Sequence, residues 1–283
     1  MRRFGIAGRV DGPGRTTSEL QLSPGLASVP VFDSGGQRIA SVYGIVLTDC
    51  LGPGLGFSEG ALRLDDAVET PEAFVRHVLR GLAGTFVVET HGGPLGHRLY
   101  PSCGGTLPIV YCPESRRFGA SADWILDDAA YTARLDRDRV ERLVRQEGRS
   151  GWIPGTLTAH RGVVRLLPNH ALDLETFRQH RFWPDPMLFA GPPILLEDAA
   201  AEVASRMQAF AVAAATRFRT AVALTAGVDS RIVLAALRPV RDRIRCFTFS
   251  TSGWVDREIP PRMCRAIGVP HQLLQPVPAT PGA

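Results

Sequence analysis

Apolar residues are arranged in two different ways along this chain, and the change falls near residue 185. Before it, they come in short runs divided by clusters of Gly, Pro, Ser and Asp. The runs over 39–47, 84–90, 109–112 and 163–167 have the length and the β-branched and aromatic content of strands. Helical periodicity over 71–80 and 137–146 interrupts them. A turn-rich, many-stranded domain over 1–185 is therefore expected. Trp183-Pro184-Asp185-Pro186, continuing to Gly191-Pro192-Pro193, makes a linker, because proline blocks both helix and ladder hydrogen bonding.

After the linker the pattern predicts a long helix over 196–219. Its larger apolar residues, Val203, Met207, Phe210, Ala214 and Phe218, step by three and four, which marks one buried face. A strand over 221–224, a helix over 230–237, a strand over 245–249, a helix over 261–267 and a short run at 271–274 follow. Strands alternating with helices predict a parallel βαβ sheet, the start of a doubly wound domain over 194–283. Strands in such a sheet are buried on both faces. Two crossover helices cannot cover both, so an open edge and exposed apolar surface are expected.

Composition narrows the chemistry. Apolar content of 45% and charged content of 21% belong to an ordinary globular chain. A net charge of +4 over 283 residues gives no basic stripe, so no nucleic-acid partner is implied. All 32 basic residues are Arg, which excludes any lysine Schiff base, lysine general base or Walker A lysine from this chain. The five cysteines, Cys50, Cys103, Cys112, Cys246 and Cys264, have neither CxxC pairing nor zinc-like spacing. Reduced thiols in the cytoplasm are expected, with Cys103 and Cys112 as small, partly buried hydrophobes. Met1-Arg2-Arg3-Phe4 opens like a twin-arginine leader, but Arg9, Asp11 and Pro13 break the apolar stretch that must follow. No stretch is long enough for a membrane span. His91, His97, His160, His170, His180 and His271 form no metal spacing, and Gly52-Pro53-Gly54-Leu55-Gly56 reads as a surface loop.

The segment that carries chemistry is Leu224-Thr225-Ala226-Gly227-Val228-Asp229-Ser230-Arg231. A buried strand ends in small residues, turns through glycine and enters a helix at Asp-Ser. The first helical N–H groups lack partners and carry the positive end of the helix dipole, so an anion fits there. Asp229 and Ser230 also suit a plain helix cap.

This segment resembles the Ser-Gly-Gly-x-Asp-Ser pyrophosphate loop of N-type ATP pyrophosphatases, with Thr225 and Ala226 in place of the first Ser and Gly. Downstream, Cys246-Phe247-Thr248-Phe249-Ser250, then Asp256, then Ile267-Gly268-Val269-Pro270-His271 resemble the matching stretch of asparagine synthetases. Earlier, Phe4-Gly5-Ile6-Ala7-Gly8 is similar to that family's Cys-Gly-Ile-x-Gly start. Leu82-Ala83-Gly84-Thr85-Phe86, Leu99-Tyr100-Pro101 with Pro108-Ile109-Val110-Tyr111, Phe118-Gly119-Ala120-Ser121, and Leu166-Leu167-Pro168-Asn169-His170 follow in the family's order. The ordered set covers nearly the whole chain.

The resemblance implies an α/β protein with an N-terminal-nucleophile-type αββα glutaminase-like sandwich, then an ATP-pyrophosphatase domain. Such enzymes adenylate a carboxylate with ATP and Mg²⁺, release pyrophosphate, and let an amine or ammonia attack. It further implies that Thr225 N–H, Ala226, Gly227 N–H and Ser230 face the phosphates, and that Asp229 positions Mg²⁺. The backbones of Leu224 and Phe249 would face adenine. If position 226 needs a left-handed backbone, Ala226 costs on the order of 1 kcal/mol relative to glycine. Asp256 either joins the site or simply opens a helix, with the second preferred. Arg231 reads as an exposed helix arginine.

Two departures shape the expectation. Phe4 stands where the family has its nucleophilic cysteine, and Thr16, Thr17 and Ser18 are not evident substitutes. The glutamine-binding Asn-Gly-Glu segment is missing and Pro101 stands in place of a carboxylate, so no glutaminase activity is expected. The family's catalytic lysine and substrate pocket have no counterpart before Ala283, so a continuing chain or a partner chain would complete the domain. The expected substrate is a small-molecule or peptide carboxylate, as in lasso-peptide cyclases and β-lactam synthetases. A non-catalytic remnant or interaction module of the same fold is the rival from another class. A tRNA-modifying pyrophosphate-loop enzyme is the rival within enzymes.

Overall fold

The protein is described by a computed structural model over residues 5–11, 19–147, 153–185, 191–251 and 253–276. Phe4, Thr16, Thr17, Ser18, Pro186 and the tail over 277–283 lie outside the described residues. The class is mixed α/β, and the chain divides into two compact units, Met1–Gly191 and Pro192–Ala283. Among the described residues no helix is long and apolar enough to cross a membrane.

The first unit begins with β1 (Ile6–Arg9), β2 (Glu19–Leu22), β3 (Ser28–Phe32), β4 (Arg38–Val46), β5 (Leu55–Ser58) and β6 (Ala61–Leu64). Helix α1 (Pro71–His77) leads to β7 (Gly84–Thr90), β8 (Arg98–Pro101), β9 (Val110–Cys112) and β10 (Arg117–Gly119). Three helices follow, α2 (Ala122–Ile125), α3 (Asp128–Arg134) and α4 (Arg137–Glu147). Strands β11 (Val164–Arg165), β12 (His170–Asp173) and β13 (Arg178–Arg181) close the unit. One sheet has the order β11-β9-β10-β1-β2, and the larger one the order β13-β12-β8-β7-β4-β3-β6-β5.

Strand alternation builds four layers from these elements. Val42 and Val88 face Phe74, Val75 and Val78 on one side of the larger sheet. Tyr43 and Val87 face Ile6, Tyr111 and Phe118 of the smaller sheet on the other. Beyond the smaller sheet, Cys112 packs against Ile125 of α2. The middle of β4 is buried on both faces, which is why 39–47 reads as a nearly unbroken apolar run. Helix α1 starts where Thr70 accepts the Ala73 N–H at 3.1 Å and Pro71 occupies the first turn.

Glycine is required where β4 meets β7. Gly44 and Gly84 have φ of +130° and +140°, and a Cβ on either would lie within 2.3 Å of a carbonyl oxygen of the facing strand. No other residue takes that backbone without displacing the pair. The Gly52–Gly56 run is not simply a surface loop. Gly52 N–H donates to Gly81 O at 2.8 Å, and the run continues into the edge strand β5.

The second unit runs through α5 (Leu196–Arg217), β14 (Thr220–Ala223), α6 (Val228–Ala236), β15 (Ile244–Phe249), α7 (Trp254–Ile267) and β16 (His271–Leu274). Its strands form a parallel sheet of order β14-β15-β16. Val222, Leu224, Ile244 and Cys246 share one core with Ala215, Leu234 and Cys264. The intervening Ala221, Ala223, Arg245 and Phe249 are exposed. These strands are thus covered on one face, not two. Right-handed crossovers advancing in one direction place successive helices on the same side.

The long helix departs from expectation more sharply. Val203, Phe210 and Phe218 are exposed, while Ala213 and Ala215 are buried. Small residues let the C-terminal half of α5 approach its neighbours closely, and the larger apolar stripe points elsewhere. Helix α7 begins seven residues earlier than expected and contains Pro260 and Pro261. Its end is well capped: Gly268 at φ +73° lets Val269 N–H donate to Cys264 O at 3.0 Å.

This one-sided packing has a direct consequence for stability. Leu234→Ala should cost about 2–5 kcal/mol, because it opens a cavity under the covered face. Phe210→Ser should stay within about 0.5 kcal/mol, as an exposed change. Denaturant unfolding of the full chain, followed by circular dichroism, measures both. Comparable losses at the two positions would mean the α5 stripe is covered after all.

Candidate functional site

The strand–turn–helix segment lies at the C-terminal end of β14, an edge of the parallel sheet. Leu224 extends the strand, donating its N–H to Phe247 O at 2.8 Å. Its carbonyl accepts the Thr248 hydroxyl at 2.7 Å. Thr225, Ala226 and Gly227 then turn the chain, and Gly227 forms the N-cap of α6 with φ −69° and ψ 160°. None of the three has a positive φ, so Ala226 sits without the backbone penalty considered for it.

Each of these three amides already has an acceptor. Thr225 N–H donates to Ser230 Oγ at 3.0 Å, and that hydroxyl reaches back to Thr225 O at 3.1 Å. Gly227 N–H donates to Thr225 Oγ1 at 3.2 Å. Ala226 N–H donates to Asp256 Oδ1 at 2.7 Å. Thr225 N–H and Gly227 N–H therefore do not face outward, as expected for a phosphate cradle, but close the loop on itself. Asp256, weighed as a mere helix opener, does both: it lies in the first turn of α7 and holds the loop.

The next turn is different. Gly227 has no side chain with which to cap α6, so the amides of Val228, Asp229 and Ser230 depend on solvent or an anion. Asp229 is exposed in that first turn. Arg231 Nε donates to Gly227 O at 3.1 Å, which brings a guanidinium to the loop. Phe249 lies across the sheet from this loop, exposed and edge-on to Phe247 with ring centroids 5.6 Å apart. The Leu224 N–H belongs to the ladder and its carbonyl already takes the Thr248 hydroxyl, so neither backbone group of Leu224 is free for a base.

Beneath the loop, two residues that carried no functional expectation form a relay. Thr248 is buried and lies 3.0 Å from His271 Nε2. Its single hydroxyl hydrogen goes to Leu224 O, so His271 donates to it from Nε2. A polar residue on the buried face of an otherwise apolar strand was the available signal.

In the first unit, the segments that carried the resemblance are neighbours. Strand β1 pairs antiparallel with β10, with Ala7 opposite Gly119 and Gly8 opposite Phe118. Gly5 N–H donates to Ser23 Oγ at 2.7 Å, and a Cβ at Gly5 would meet the Ala120 Cβ at 2.4 Å. Cys112 is buried in β9, whereas Cys103 is exposed rather than partly buried. Between the sheets, Glu89 accepts from Tyr43 at 2.8 Å and pairs with His97 at 2.8 Å. Burial and the Glu89 charge push the Tyr43 phenol well above its usual range. No metal-binding group of three or more His, Cys, Asp or Glu occurs among the described residues.

No protein-family model matches the chain, and no curated protein matches it.

Burial holds His271 below the ordinary imidazole value, and burial also lowers His91, His160 and His170. Each is harder to protonate in the folded protein than once unfolded. Their contribution is fully present above the unfolded value of about 6.5 and is lost as pH falls from there toward the folded values. The melting temperature should drop between about pH 7.5 and about pH 5, and His271→Gln should flatten that drop. Parallel profiles for the two proteins would remove His271 from this account.

Proposed function

We propose that this chain belongs to an asparagine-synthetase-type ATP-dependent amide ligase without glutaminase activity. On this reading the first unit is a glutaminase-like sandwich and the second belongs to the nucleotide domain. The observation that bears most weight is the turn at Leu224–Ser230. It joins the end of a parallel strand to a helix whose glycine cap leaves the first-turn amides open. The helix–sheet–sheet–helix layering of the first unit agrees with a nucleophile-type sandwich.

The residues present fit a magnesium–nucleotide. Phosphate oxygens suit the amides of Val228, Asp229 and Ser230, since no Cβ at Gly227 blocks the approach. Magnesium is usually held by one or two carboxylates together with substrate phosphates, so Asp229 serves without a larger cluster. Bound ATP supplies the adenylyl group that makes a carboxylate reactive toward an amine. Ser230 keeps the turn closed under the phosphates. Phe4 has no thiol, so the sandwich has no nucleophile at the position where the family keeps one.

A second reading has its own support. Three consecutive loop amides are satisfied by the protein's own side chains, as expected of a remnant or interaction module that holds its shape without nucleotide. ATP–Mg²⁺ titration separates the two. The ligase reading expects saturable binding that Asp229→Ala weakens by at least about tenfold. Equal binding by both proteins rejects the metal role, and no binding by the wild type favours the remnant. Incubation with glutamine should release no ammonia; turnover by the purified chain would reveal a nucleophile at some position other than 4.

A further inference from the structure

In the first unit, the outer face of the smaller sheet is left open at the Arg9 end of β1, opposite to Gly5. Helix α2 is a single turn of four residues; Trp124 and Ile125 cover Gly119 beside Ala7, and the helix stops there. The next pair on that face is Arg9 and Arg117, directly opposite each other on β1 and β10. Across β9, the residue opposite Arg117 is Cys112. Arg134 of α3 reaches the same row, its Nη1 3.5 Å from the Cys112 Sγ. Between this row and helices α2 and α3 lies a cleft of about 480 Å³, with Arg116 also in its wall.

Like charges directly opposite on neighbouring strands destabilise a sheet. Asp11 offsets Arg9 at 3.1 Å, and Glu114 offsets Arg134 at 2.8 Å. Asp127, the remaining carboxylate of the cleft, caps α3 by accepting the Ala130 N–H at 2.8 Å. Arg116 is bonded to the carbonyls of Val10, Leu174 and Glu175, which fix it at a left-handed φ of +50°. Arg117 is half-buried, and alone of the four it makes no hydrogen bond or ion pair with a described residue. Four arginines against three carboxylates leave one positive charge in surplus, which suits a monoanion. A guanidinium fork matches a planar carboxylate through two parallel bonds. Ile125, Leu126 and Ala130 make part of the wall apolar. We propose that this cleft binds a small aliphatic monocarboxylate, with its carboxylate on Arg117 and its chain against α2 and α3. The site is independent of the ligase reading.

Hexanoate, acetate and inorganic phosphate are titrated calorimetrically into the full chain, and the Arg117 Nε–H resonance locates the bound anion. Hexanoate should shift that resonance saturably and bind at least about tenfold more tightly than acetate, since its longer chain buries methylenes. Arg117→Gln should weaken hexanoate binding at least about tenfold. Its melting temperature should stay the same or rise, because the substitution relieves the repulsion from Arg9. A lower melting temperature with hexanoate binding unchanged would make Arg117 a structural arginine and overturn the site. Ala130→Leu keeps every arginine but fills the apolar wall, so it should also weaken hexanoate at least about tenfold, and it serves if Arg117→Gln folds poorly. Hexanoate binding that neither variant weakens overturns the site, as does no binding by the wild type. Phosphate binding more tightly than hexanoate overturns the carboxylate.

Discussion

A parallel strand can reach its neighbour only through a crossover, and the right hand of that crossover decides which face its helix covers. In the second unit the strands advance in one direction, β14 to β15 to β16, so α6 and α7 lie on one face with α5 beside them. Much follows from this. Val222, Leu224, Ile244 and Cys246 are inside, and Ala221, Arg245 and Phe249 are outside. Both crossover helices also start from the same end of the sheet. That is why an aspartate in the first turn of α7 reaches the loop that opens α6.

The first unit obeys a different constraint. Its central strands are enclosed on both faces, by α1 on one side and the smaller sheet on the other, so every side chain along β4 and β7 must fit one core or the other. A polar residue there needs partners, and Glu89 has them in Tyr43 and His97. Gly44 and Gly84 are fixed by the approach of two backbones, with no room for a Cβ. The glycine of the Leu82–Phe86 stretch is thus explained by packing alone and carries no chemistry.

How much of this the sequence disclosed depended on how local the physics was. Strand β7 and strand β16 were legible to the residue, because alternation and turn residues set them. The N-terminus of α6 was legible through Gly227, Asp229 and Ser230, which act within one turn. The face of α5 was not. Periodicity identified a stripe at Val203, Phe210 and Phe218, but burial depends on what lies opposite, and it is Ala215 that joins the core with Leu234 of α6. Pro260 and Pro261 hid the first half of α7 because proline is a poor helix residue on average. The Asp256–Ala226 bond was beyond reach, since nothing in either local sequence records a contact across two elements.

The loop's closure also bears on how the two readings of function differ. Amides at the end of a strand need acceptors whatever the protein does. Thr225 and Ser230 provide two of them within five residues, which any helix-capping turn can do. The third comes from Asp256, and a cap does not require it, since water serves as well at a half-buried turn. The Asp256 bond is thus the closure of this loop that a local cap does not supply, and it ties the start of α7 to the start of α6.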